Sequence, residues 1–130
     1  LIGIYHRVFL TFVGLAVLSG VIAAIVETFA AQLVVRARLS RRIYASLLAN
    51  AATTAVLIVY VSLVFFAGFD LGFSSVGAHL LWFVVGVIIE WPIWRRALRL
   101  NTSSAITLTT AVNALSIVAV LVLERLTWIA

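Results

Sequence analysis

Four long apolar runs, parted by two arginine-rich turns and one glycine-rich loop, set the pattern of this chain. They extend from Val8 to Val35 after Tyr5-His6-Arg7, from Ile43 to Ala67, from about Val76 to Trp94, and from Ser103 to about Leu123. Each is near the length of about 20 residues that a helix needs to cross hydrocarbon, where only helices and closed barrels satisfy their own backbone polar groups. The pattern therefore predicts an all-α integral membrane protein, one membrane domain over residues 1–130 with four transmembrane helices. The first run has 28 residues and would rise about 42 Å, so it must tilt or protrude. Its Gly20, Ala24, Glu27 and Ala31 share one face, with Gly14 and Ala16 above them. Small residues at such spacing let another helix backbone approach, and ordinary packing accounts for them. The start imitates a signal peptide, but the apolar run continues well past any cleavage point at Ser19-Gly20. The chain opens at Leu1 and holds no methionine, which leaves room for an initiator, a signal peptide or an upstream segment ahead of it.

The few polar positions inside these runs carry a second pattern. Glu27 and Asn50 flank the first arginine turn with 22 residues between them, and Glu90 and Asn113 flank the second at the same spacing. The two spans have midpoints at 38.5 and 101.5, inside the turns. Acid and amide are thus expected level with each other in each hairpin. Sixty-three residues separate Glu27 from Glu90, Arg36 from Arg99, Ser40 from Ser103, Ser46 from Thr109, Asn50 from Asn113 and Thr53 from Ser116. Aligning 21–57 with 84–120 gives eight identities in 37 pairs, of which biased composition supplies roughly three or four. Because polar residues are scarce here, their agreement weighs more than the total. It points to a parallel repeat of two hairpins, about 8–67 and 76–123, about an axis along the membrane normal.

Composition and charge sharpen the class. The chain is 65% hydrophobic and 10% charged, against about 25% charged for a soluble domain. With no cysteine, disulfides, thiolate metal sites and thiol chemistry are excluded. The net charge is +5, and all nine cations are arginines, most of them in the two turns. That distribution speaks of topology and anionic headgroups and not of nucleic acid. Arg36, Arg38, Arg41 and Arg42 form the first turn, and Arg95, Arg96 and Arg99 belong to the second; the loop near residue 71 carries only Asp70. The excess of cations puts both turns on the cytoplasmic side and both termini outside. Trp91 and Trp94 fit an inner aromatic belt, and Tyr60 with Phe65 and Phe66 an outer one. Pro92 is expected to bend or loosen the third helix and free the carbonyl of Ile88.

An acid at the centre of a spanning helix costs about 2.5–3.5 kcal/mol when ionised, so it finds a partner, water or a proton. Two readings follow. In one, Glu27 and Glu90 titrate in a polar seam that carries a proton, a cation or a small polar solute, with Asn50, Asn113, Ser46, Thr53, Thr109 and Ser116 orienting or coordinating. In the other, the same residues clamp each hairpin of an accessory or assembly subunit of a larger complex. Lipid or pigment binding is a third possibility, with weak support from the aromatic belts. Four helices leave little room for a full alternating-access path in one copy, so self-association or a larger partner is expected. His6 and His79 stand alone near the outer ends of spans, without the companions a metal site needs. No phosphate loop, GxSxG or HExxH occurs, and no hydroxyl has a histidine base at its depth. The expected protein is therefore not an enzyme and needs no cofactor or metal.

Overall fold

The computed structural model describes residues 2–68 and 75–129. Its four helices are α1 (Ile2–Val34), α2 (Leu39–Ala67), α3 (Ser75–Leu98) and α4 (Thr102–Ile129). Each packs on the next and α4 closes on α1, so α1 lies diagonal to α3 and α2 to α4. All four are long and apolar enough to cross a membrane, as a multi-pass membrane protein requires. The loop holding Asp70 lies outside the described residues.

The helices outrun the apolar stretches that announce them, because helical backbone does not stop where hydrophobicity does. α1 takes in Tyr5-His6-Arg7, and α2 begins at Leu39. Arg41 and Arg42 therefore belong to the first turn of α2, which shortens the connection to 35–38. α3 runs through Pro92 without a break and keeps Arg95 and Arg96 in its last turn, where cations meet the negative end of the helix dipole. Its end is a left-handed cap: Arg99 has φ 54° and the Leu100 N–H donates to the Arg95 carbonyl at 3.0 Å. Asn101 then starts α4, its Oδ1 accepting from the Ser104 N–H at 2.7 Å. At the far end of α2, Gly68 takes φ 65° and its N–H closes on the Leu63 carbonyl.

Burial is inverted relative to a water-soluble bundle. Glu27, Glu90, Ser46 and Thr109 are at most 1% exposed, while Leu33 is 84% and Phe29 62% exposed. Such a surface suits lipid as the solvent. Between the helices the apolar packing concentrates toward the arginine turns, around Trp94, Leu108 and Val112 with Ala31, Ala45 and Ala49. These six form three pairs 63 positions apart: 31 with 94, 45 with 108, 49 with 112. In each pair the first hairpin supplies alanine and the second a bulky side chain, so large fills the space that small leaves. Trp94 is accordingly fully buried. This corrects its expected place in an interfacial belt: the indole lies in the buried apolar cluster with Ala31, Ala45 and Ala49, whose small side chains leave it room. Its Nε1 has no hydrogen-bond partner. Nearer the other end, aromatic rings bind helix to helix: Phe9 meets Phe65 and Phe66, and Tyr60 stands edge-on to Trp82 at 5.6 Å.

In lipid, truncating Trp94 forfeits packing without the full transfer term of a soluble core, where the loss is about 3–5 kcal/mol. Trp94→Ala should therefore cost on the order of 2 kcal/mol, read as the midpoint of SDS-induced helix loss from mixed micelles. Trp94→Phe keeps most of the volume and deletes the unpartnered donor, so it should cost clearly less. Equal losses for the two would refute this placement.

Candidate functional site

The site is built one turn at a time from the polar faces of all four helices. On α2, Ser46, Asn50 and Thr53 lie at i, i+4 and i+7, and on α4 so do Thr109, Asn113 and Ser116; side chains at these spacings share a face. α1 presents Glu27 and α3 presents Glu90. Within each hairpin the expected acid–amide pair is made: Asn50 Nδ2 donates to Glu27 Oε2 at 2.6 Å, and Asn113 Nδ2 to Glu90 Oε2 at 2.7 Å. Each amide gives its other N–H to its own helix, to the carbonyls of Ser46 and Thr109 at 3.0 Å. Both amide groups are thereby held in one orientation.

The second oxygen of each carboxyl is served from the opposite hairpin. Ser116 of α4 donates to Glu27 Oε1 at 2.9 Å, and Thr53 of α2 donates to Glu90 Oε1 at 2.6 Å. The four bonds therefore link α1 to α2 and α4, and α3 to α4 and α2. Nothing in the spacing of the sequence announces this crossing, which only the ring order of the helices produces. Each hydroxyl also lies within reach of a carbonyl of its own helix, Ser116 of Val112 at 2.9 Å and Thr53 of Ala49 at 3.2 Å. A hydroxyl has one hydrogen. It can give that hydrogen to a carboxylate, or turn it to the carbonyl and accept from a protonated carboxyl instead. The partner each hydroxyl takes thus depends on the state of the opposite hairpin's acid.

Ser46 and Thr109 lie a turn toward the arginines and serve backbone. Ser46 Oγ donates across to the Ala24 carbonyl at 2.7 Å, and Thr109 Oγ1 to Ala105 at 2.7 Å. The other six expected residues border a cavity of about 160 Å³ that touches all four helices, room for several water molecules. Its lining also holds His79 and Trp82 on α3 and, among the described residues, no arginine. His79 thus faces the cavity instead of standing apart at an interface. Gly86 is a further contributor without a signal of its own in the sequence. A Cβ there would fall 2.6 Å from Asn113 Oδ1, so the absence of a side chain lets α3 come up against the amide.

Of the arginines expected at headgroups, Arg36, Arg38, Arg41, Arg95, Arg96 and Arg99 are exposed. Arg36 borders a groove of about 350 Å³ with Ser103, Ser104 and Thr107, and Arg96 one of about 440 Å³ with Tyr44 and Pro92. Arg42 instead turns inward, donating to the Thr28 carbonyl at 3.1 Å and to Gln32 Oε1 at 3.3 Å. Its place in the first helical turn points it at α1 and not at the headgroups.

No family model, curated protein or solved structure matches this chain. The chemistry of the site rests on its geometry.

Gly86→Ala tests how tightly that geometry is held. The added methyl meets an amide pinned by two hydrogen bonds, so it should cost about 1–3 kcal/mol as overpacking does, read by thermal unfolding in detergent. Gly14→Ala, where a Cβ meets nothing within 4 Å, should be neutral or stabilising. Equal behaviour of the two variants would mean that Asn113 is not fixed.

Proposed function

We propose that this protein conducts or transports a proton or a cation through the cavity bordered by Glu27 and Glu90. The observation that carries the reading is that two acids from different hairpins, each bonded to the other hairpin's hydroxyl, border one cavity with, among the described residues, no arginine in its lining. Magnitudes support it. Two ionised acids at helix centres cost about 5–7 kcal/mol on insertion scales, while four interhelical hydrogen bonds return about 2–3 kcal/mol at their average strength. The remainder falls to whatever enters the cavity: water, a proton or a cation. Glu27 and Glu90 are the exchanging groups. Asn50 and Asn113 orient them, and Thr53 and Ser116 pass their state across. We read the two hairpins as copies of one ancestral hairpin about an axis along the membrane normal, with the arginine turns cytoplasmic and in contact with anionic headgroups. The packed end around Trp94 then faces inward, and passage past it calls for self-association or a larger partner.

The clamp is the second reading, favoured by one observation: every oxygen of both carboxyls already has a partner within the chain. In that case the protein is an assembly subunit and the ring fixes helix register.

Glutamine keeps the shape of glutamate and loses its exchangeable proton. In proteoliposomes holding a pH-sensitive dye, with a potassium diffusion potential imposed, the wild type should acidify the lumen. Glu27→Gln and Glu90→Gln should each slow this by about tenfold or more, as expected where the acid is the carrier, with helix content unchanged. Proton flux indifferent to both substitutions decides for the clamp.

A further inference from the structure

A second hollow lies against the first. Between α1 and α2, on the surface that faces lipid, is a groove of about 360 Å³ whose walls include Val17, Val21, Leu47, Ala51 and Ile58. Gly20, Asn50 and Thr54 border both this groove and the central cavity. They stand between the groove and the site. Gly20 keeps the partition thin, since a Cβ there would fall 2.5 Å from Thr54 Oγ1. Sixty-three positions on, the α3–α4 pair carries the bulkier Phe83 and Ile117 where Gly20 and Thr54 stand. Measured along α1, Gly20 is seven residues from Glu27, about 10 Å. That is within reach of a molecule lying in the groove with one end turned inward.

Chemistry narrows the occupant. A hydrated inorganic ion has no route through walls of valine, leucine, alanine and isoleucine, whereas an alkyl chain fits them. An anionic amphiphile would meet Glu27 and Glu90 without a compensating arginine. Among the described residues, the acidic and basic side chains lining the cavity are Glu27 from α1 and Glu90 and His79 from α3, with none from α2 or α4. Trp82 adds an aromatic wall suited to an alkylated ammonium. We propose that groove and cavity form one site for an amphiphilic organic cation, an alkylammonium that enters sideways from the bilayer with its tail between α1 and α2 and its head at the two carboxyls. This names the substrate class of the transport reading above and rests on it.

The test uses the full chain in nanodiscs of zwitterionic lipid and tritiated decyltrimethylammonium in equilibrium dialysis, with empty nanodiscs subtracted. Saturable binding is expected, lost in the Glu27→Gln/Glu90→Gln double variant. Ala51→Phe, which fills the groove from its exposed lipid face, should weaken it by about tenfold, the scale of losing one or two buried methylenes. Thr54→Ala thins the partition and should bind at least as well as the wild type. Absence of saturable binding, indifference to Ala51→Phe, or equal binding of neutral tritiated decanol overturns the proposal. Proton flux that depends on the glutamates in a protein that binds no alkylammonium overturns this proposal alone and leaves the transport reading standing. Flux and binding both indifferent to the glutamates overturns the two together.

Discussion

Hydrocarbon offers an apolar side chain nothing for being buried, since lipid tails are as apolar as leucine, and that constraint governs this structure. Four helices with leucine, valine and phenylalanine on their outer faces have no reason to associate through those residues. What draws them together is what lipid does not supply: close packing, and partners for polar groups. The acid–amide–hydroxyl ring answers the second need with bonds that touch every helix. Because each carboxyl takes one bond from its own hairpin and one from the other, neither hairpin is satisfied alone.

The first need is met by an apolar cluster at one end and by aromatic contacts at the other. Toward the arginine turns, Trp94, Leu108 and Val112 fill the room left by Ala31, Ala45 and Ala49, and the helices close up. On the other side of the carboxyls lie the cavity and the lateral groove, bordered by Gly20 and Thr54. The open side also holds His79 and Trp82, which extend the polar surface of the cavity beyond the ring.

Much of this was legible in the order of residues. Length and hydropathy announced four spans, and the spacing of Glu27 to Asn50 and Glu90 to Asn113 announced two level pairs, because a hairpin with a short turn equates distance along the chain with depth. Three things were not legible, each for a physical reason. Arg42 reads as a turn residue, yet the backbone remains helical beyond the apolar run, and one added turn points its guanidinium at Thr28. Trp94 reads as an interfacial tryptophan, and only the alanines across the bundle show where the indole goes. The partners of Glu27 Oε1 and Glu90 Oε1 depend on which helices are neighbours, which no spacing within a hairpin encodes.

The crossing also sets which positions tolerate change. An apolar position can change size if the position facing it changes in the opposite sense, as alanine against tryptophan, leucine and valine shows. A polar position has no such freedom. Replacing Thr53 with an apolar residue would strand an oxygen of Glu90 in the other hairpin, and no change within the second hairpin's own amide repairs it. Two hairpins bound in this way each depend on a hydroxyl of the other, whatever their apolar residues. Among positions 63 residues apart, Glu27 and Glu90, Asn50 and Asn113, and Thr53 and Ser116 are the ones that make this crossing.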